Sequence, residues 1–358
     1  MVNKVSLWMK IAYAVLFLFT LLSVLEMTRS DFGLGQNQRL FAAENPEVQK
    51  KNIFAERKDL LEEFALVSKI PWYELAAIDQ YERSLISAKK KGTAQPQGLI
   101  AIQIPEAVWA GPLNPDQADT NPMSIAWFGG IGKDGSGDGK ADRSNDLDLL
   151  QTMVSKITKS GNRDTDRQIG LWAYYQNTRS VQRIKQFSEI YKNLEKLDLF
   201  EHAFPLPLSA DYSYRSTWGA KRGWGGFRTH EGTDLFARYG VPVRSTCYGI
   251  VELIGWNNFG GWRVGIRDLT NTYHYYAHLS GFAKNLKQGD IVKPGQTVGW
   301  VGSSGYGKPG TSGKFPPHLH YGLYRDTGLN EWSFNPYPYL KNWEREEQKN
   351  RTKSAPSA

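Results

Sequence analysis

Apolar residues fall into three regimes along this chain of 358 residues. The first is one nearly uninterrupted apolar run from Ile11 to Leu25, extended backwards by Leu7, Trp8 and Met9 and preceded by Lys4 and Lys10. It approaches the roughly 20 residues that a helix needs to cross a bilayer. With only Thr20 and Ser23 as polar interruptions, it lacks the polar face of a core helix. The run therefore predicts a transmembrane helix. The following EMTRSDFG holds no small-x-small cleavage site, so a retained anchor is expected. Its basic flank puts the N-terminus in the cytoplasm and the rest of the chain on the extracytoplasmic side of the cell membrane.

The second regime has helical periodicity. In ERKDLLEEFALVSKI, residues 56–70, the apolar positions Leu60, Leu61, Phe64, Leu66 and Val67 recur near helical spacing. PWYELAAIDQYERSLISAKK opens with Pro71, suited to a first helical turn. LDLLQTMVSKITKS and SVQRIKQFSEIYKNLEKL repeat the pattern. From Phe204 the period shortens: RVGIRD, TYHYYAHL, DIVKPGQTVGWVG and HLHYGLY alternate like strands, and KPGQ carries proline and glycine at the centre of a turn. The chain thus divides into a stub and anchor (1–28), a linker (29–55), a helical domain (56–200), a mostly antiparallel β domain (201–345) and a polar, disordered tail (346–358). The class is α+β.

Composition adds bounds. A net charge of +8, spread along the chain, forms no basic stripe with interleaved aromatics, so nucleic acid is not an expected partner. Mild positive charge on the outer side of a membrane favours encounter with anionic wall polymers. Cys247 is the one cysteine, which excludes an intramolecular disulfide and a thiolate cluster. Its strand-like surroundings, VRSTCYGIVEL, suggest an inert buried thiol. No protein partner is indicated.

The chemistry concentrates in histidine. Five of the six histidines lie between His230 and His320. On a strand, His318 and His320 of PHLHYGL share a face with Cα atoms about 6.6 Å apart. Both rings could ligate one zinc, or one could ligate while the other addresses its water. In RTHEGTDLFA, His230 and Asp234 would stand about 13 Å apart on a straight strand, so the chain must bend, and Gly232 sits at the midpoint. HEGTD begins like the HExxH helix of common zinc proteases, but Asp234 stands where the second histidine belongs. Glu231 reads as a solvated bystander. His274 and His278 of TYHYYAHLS share strand parity, and either could face the site.

HEGTD, YAHLS and PHLHYGL resemble, in order, the H-x-G-x-D, Y-x-H-L and H-x-H motifs of the lysostaphin/LytM-type zinc metallopeptidases, with GVPV, GDIVKPGQTVGWVG and a glycine-rich loop between them. The resemblance implies a zinc ion held by His230, Asp234 and His320 with a fourth position open to water. It also implies that His278 and His318 are the non-ligand histidines that activate the water and stabilise the developing oxyanion in peptide-bond hydrolysis. His274 departs from the pattern and is taken as groove-lining or structural. GSSGYGKPGTSGKFPPHLH is longer than the family's usual run, so the bond cleaved does not carry over.

In the helical domain, IPWYELAAIDQYERSL resembles the lysozyme-like segment in which an apolar helix ends at a catalytic glutamate. Glu82 takes that place, with Arg83 intervening before Ser84, and the family's glycine-leucine-methionine-glutamine signature is missing. An inactive retained helix is the reading preferred over a second, glycan-cleaving site. DGSGDGKAD, residues 134–142, starts like a calcium loop, but Asn145 stands at the position of the bidentate glutamate, so a glycine and aspartate turn is preferred. Anchor, helix, loop and long-looped peptidase together resemble the LytH-type enzymes of spore-forming bacteria. That resemblance implies cleavage of the L-Ala–D-Glu bond of peptidoglycan stem peptides during spore-cortex maturation. A non-catalytic wall-binding or scaffold module should instead have lost a motif residue, and all five positions are filled.

Overall fold

The computed structural model describes residues 46–88, 96–223 and 227–354. The apolar run read as a membrane anchor lies outside them, and among the described residues no helix is long and apolar enough to cross a membrane. Among the described residues, seven helices precede the strands: α1 (Pro46–Ser68), α2 (Trp72–Ala88), α3 (Glu106–Trp109), α4 (Pro122–Trp127), α5 (Asp146–Ile157), α6 (Asp164–Tyr175) and α7 (Thr178–Leu194). Helix α1 thus starts inside the stretch expected to be linker. Its partner α2 follows Pro71 and presents Leu75, Ile78 and Tyr81 to a core shared with Leu61, Phe64, Ile184 and Phe187. Glu74 in its first turn pairs with Arg167 at 2.7 Å.

The loop read as a possible calcium site closes on itself. Asp134 accepts from the Gly137 and Gly139 amides at 2.6 and 2.8 Å, and Asp148 accepts from Gly135, Ser136 and Asp142 at 2.8, 2.9 and 2.7 Å. Asn145 caps α5 through the Leu147 amide. Backbone donors occupy these oxygens, which supports the turn reading.

An antiparallel sheet of ten strands follows, from β1 (Tyr212–Tyr214) to β12 (Glu331–Phe334). Its main path places β4 (Thr233–Ala237), β11 (His318–Asp326), β8 (Thr272–Phe282), β7 (Gly261–Asp268) and β6 (Gly249–Asn257) side by side; β2 (Lys221–Arg222) and β3 (Arg228–Thr229) form a separate ribbon. Leu235, Val264, Tyr276, Leu319 and Tyr321 fill the core of the sheet. Lys293–Gln296 is the expected turn, with Gly295 at φ 80° and the Gln296 amide bonded to the Lys293 carbonyl.

Two expectations change. The polar C-terminus is helical to Ser354, as α8 (Tyr337–Ser354). Leu340 and Trp343 bury its first turns, Glu344 accepts from Tyr212 and Tyr214 at 2.6 and 2.7 Å, and Glu347 pairs with Arg244 at 3.0 Å. Specific ion and phenol contacts fix a segment whose composition alone reads as disorder. The helical and β parts also belong to one compact unit, 46–358. Ile250 and Leu269 join the helical core, Gln80 donates to the Leu269 carbonyl at 2.8 Å, and buried Arg183 of α7 binds Asp326 at 3.0 Å.

Candidate metal centre

Antiparallel pairing of β11 with β4 sets His320 opposite Asp234 and His318 opposite Phe236. Two-residue parity then keeps both histidines on the Asp234 face. His230 arrives from the bend between β3 and β4. Glycine is needed at 232 for room rather than for an unusual φ: a Cβ there would lie 2.5 Å from His320 Cε1 and 2.7 Å from the Tyr321 carbonyl.

His230 Nε2, His320 Nδ1 and Asp234 Oδ1 form a triangle with sides of 2.9, 3.0 and 3.2 Å. Three donors at about 2.0–2.1 Å from one tetrahedral zinc stand about 3.3 Å apart, so this donor set fits the ion. Asp234 is buried. Burial pulls its carboxyl upward, but the close approach of His230 and His320, and the charges of His320 and His318, hold it far below the usual carboxylate range. Arg222 donates to the second oxygen, Oδ2, leaving Oδ1 for the metal. Sequence reading missed Arg222; its only signal is a basic residue in a short ribbon upstream of His230.

Backbone carbonyls fix the tautomers of three rings. His230 Nδ1 donates to Thr217, His278 Nδ1 to Ser304 and His318 Nδ1 to Pro316, each at 2.8 Å. Each ring therefore turns an unprotonated Nε2 away from its carbonyl. His230 spends that lone pair in the donor triangle. His318 Nε2 stands 3.7 Å from Asp234 Oδ1, outside the triangle, and its ring lies 4.9 Å from that of His278. Burial lowers the pKa of His318. Burial, together with the charges of His318 and His320, drives His278 down to about 3.

The two histidines of β8 separate for a structural reason. Val264 faces Tyr276 but Trp262 faces Leu279, so Ala277 and His278 together oppose one residue of β7. His278 takes a φ of 62°. This bulge re-aims its ring into the site. His274, four residues earlier, stays fully buried between Asp268 at 3.1 Å and the hydroxyls of Tyr321 and Thr246 at 2.7 and 2.8 Å, and is structural. Cys247 is buried, with burial raising its thiol well above the ordinary range. Glu231 is exposed, 3.3 Å from the Tyr324 hydroxyl. Glu82 lies in the helical part, apart from this centre.

The triangle opens on a cleft of about 520 Å³ lined by Tyr275, Tyr306, Phe259, Phe315, Arg222 and Arg228 among others. Residues 228–336 match Peptidase family M23, and the chain is 55% identical over 311 residues to the L-Ala–D-Glu endopeptidase of Bacillus subtilis (strain 168), covering 86% of this chain and 95% of that protein. The chain belongs to peptidase family M23 and is a zinc metalloendopeptidase. It is also 36% identical over 114 residues to lysostaphin of Staphylococcus simulans, covering 31% of this chain and 21% of that protein. The solved catalytic domain of that lysostaphin aligns with a TM-score of 0.32 at 30% identity, over 39% of this chain and 99% of the domain.

Proposed function

We propose that this protein hydrolyses the L-Ala–D-Glu bond of peptidoglycan stem peptides, acting from the outer face of the membrane during spore-cortex maturation. The observation that carries the reading is the 55% identity across 95% of the Bacillus relative, combined with a complete set of donor and non-donor histidines in one cleft.

Zinc held by His230, Asp234 and His320 would supply Lewis acidity towards the scissile carbonyl and towards water. His318 is the proton acceptor: its Nε2 faces the donor triangle, and nearby Asp234 partly offsets the effect of burial. The imidazolium formed there returns the proton to the leaving amine. Neutral His278, with its own proton committed to Ser304, offers an acceptor that orients the attacking water. An oxyanion would draw on the imidazolium of His318 instead. Tyr275, Tyr306 and Phe315 flank the cleft and exclude water around the peptide.

The test is digestion of purified peptidoglycan with product analysis by mass spectrometry. New D-Glu amino termini, abolished by chelation and by His320→Ala and restored by zinc in the wild type, are expected. Cleavage at another bond, or activity in metal-free His320→Ala, overturns the reading. In cells, cortex from a strain lacking the protein should keep full stem peptides where the wild type leaves single L-Ala residues, and wild-type protein should fractionate with membranes.

A further inference from the structure

The described lining of the metal cleft holds two guanidiniums, Arg222 and Arg228, and two carboxylates, Asp234 and Glu231. Register sets the two arginines against each other, because Arg222 pairs with Arg228 across the β2–β3 ribbon. Like charges directly opposite one another destabilise a strand pair, a cost that a neutral residue at either position would avoid. The ribbon continues to the metal ligand: the His230 amide bonds the Ala220 carbonyl at 2.8 Å, and the Gly219 amide bonds the His230 carbonyl at 2.8 Å. Two-residue parity therefore turns Arg228 to the same side as His230.

The two cations differ in what holds them. Arg222 donates to Asp234 Oδ2 and so answers a charge that belongs to the metal site. The guanidinium carbon of Arg228 lies 5.2 Å from the ring centroids of both Phe259 and Tyr306, and the group donates to the Tyr306 hydroxyl. Aromatic faces hold the plane of a guanidinium while its N–H edge keeps the fork that matches a carboxylate. Arg228 is thus placed before any ligand arrives, which lowers the ordering cost of binding.

Charge also gives the cleft a direction. A file of rings runs from Tyr324 through Tyr275, His320 and His278 to Tyr306, with neighbouring centroids 6.4, 5.8, 5.9 and 6.1 Å apart. Glu231 stands at the Tyr324 end, 3.3 Å from that hydroxyl, and Arg228 stands at the Tyr306 end. The file therefore carries opposite charge at its two ends, with a metal donor between them. Of the residues flanking an L-Ala–D-Glu bond, alanine offers only a methyl group. Glutamate has two carboxyls and uses one in the next amide, so the other remains a carboxylate beside the leaving amine. Glu231 repels that carboxylate and Arg228 attracts it.

We propose that Arg228 is a specificity residue that binds the carboxylate of the glutamate supplying the leaving amine, and thereby sets which way the stem peptide lies across the metal centre. The inference rests on the function proposed above. The test is kcat/KM of the full-length, zinc-loaded protein on two synthetic stem peptides that differ only in that group, one with the carboxylate and one with its primary amide. A charge-assisted, forked hydrogen bond predicts that the wild type favours the carboxylate peptide by roughly tenfold or more, chiefly through KM. In Arg228→Gln the ratio should fall to within about twofold, and Arg228→Lys, which keeps the charge without the fork, should give an intermediate ratio. Both peptides are read on the same sample, so a general loss of fold or of zinc cancels from the ratio. Equal cleavage of the two peptides by the wild type, or an unchanged ratio in Arg228→Gln, overturns the proposal and leaves the endopeptidase reading standing. Cleavage of neither peptide by the wild type overturns both.

Discussion

Replacing His318 by glutamine should separate metal binding from proton transfer. The ring is not part of the donor triangle: its Nε2 lies 3.7 Å from Asp234 Oδ1, whereas the donor atoms of His230 and His320 lie 3.0 and 3.2 Å from the same oxygen. Glutamine can still hydrogen-bond but cannot take up a proton at neutral pH. General-base catalysis is worth about 10²–10⁴-fold, which corresponds to roughly 3–5 kcal/mol of barrier. The variant should therefore lose at least about a hundredfold in kcat while retaining one zinc per chain. Steady-state kinetics on a fluorogenic stem peptide, with zinc measured in the same samples by mass spectrometry, tests both halves. The wild-type pH profile adds a signature: because burial lowers His318, kcat/KM should hold its plateau past the usual histidine midpoint near 6.5 and fall only at lower pH. A variant within threefold of wild-type activity would refute the reasoning, as would loss of zinc in step with loss of activity.

Other expectations follow from the same geometry. Gly232→Ala brings a Cβ to 2.5 Å from the His320 ring, so competition with a chromogenic chelator should show zinc affinity reduced by about tenfold or more. Metal-free protein should lose stability as pH falls from about 6.5 towards 3: His278 titrates near 3 when folded but near 6.5 unfolded, so the unfolded chain holds the extra proton in that window. Denaturant midpoints should fall there, by up to about 1.4 kcal/mol per pH unit from this residue, and be insensitive to it above. Arg183→Met removes the 3.0 Å partner of buried Asp326, leaving Arg179 at 3.9 Å and the Gly328 amide, and should cost about 3 kcal/mol, the low end for a broken buried pair, read by urea unfolding. Native Cys247 should resist thiol reagents that label it at once in denaturant, because it is buried with a raised pKa.

What the sequence made legible was the part governed by period and spacing. Strand parity put His318 and His320 on one face, and motif order paired His320 with His230 and Asp234. Strand parity alone did not separate His274 from His278; the Y-x-H-L motif did, while the bulge that causes the separation depends on the register against β7 and not on the local pattern. Gly232 was recognised as a bend, but its need for space follows from a ring supplied 88 residues later, by His320. Arg222 carries no motif. Helix α8 was hidden by composition, since its anchoring contacts reach Tyr212, Tyr214 and Arg244 from far along the chain. The helical elements were visible from periodicity, whereas their fusion with the sheet depends on Gln80 and Arg183, polar residues that read as ordinary surface positions.

The carbonyls of Thr217, Ser304 and Pro316 have a consequence for how such a centre can change over evolution. Because main-chain oxygens set the tautomers of His230, His278 and His318, no side-chain replacement at those three supporting positions deletes the acceptor. Retuning the proton inventory therefore requires a loop to shift or change length. The three carbonyls sit on separate segments, so each histidine can be adjusted by an insertion in its own loop while the sheet that spaces the ligands stays as it is.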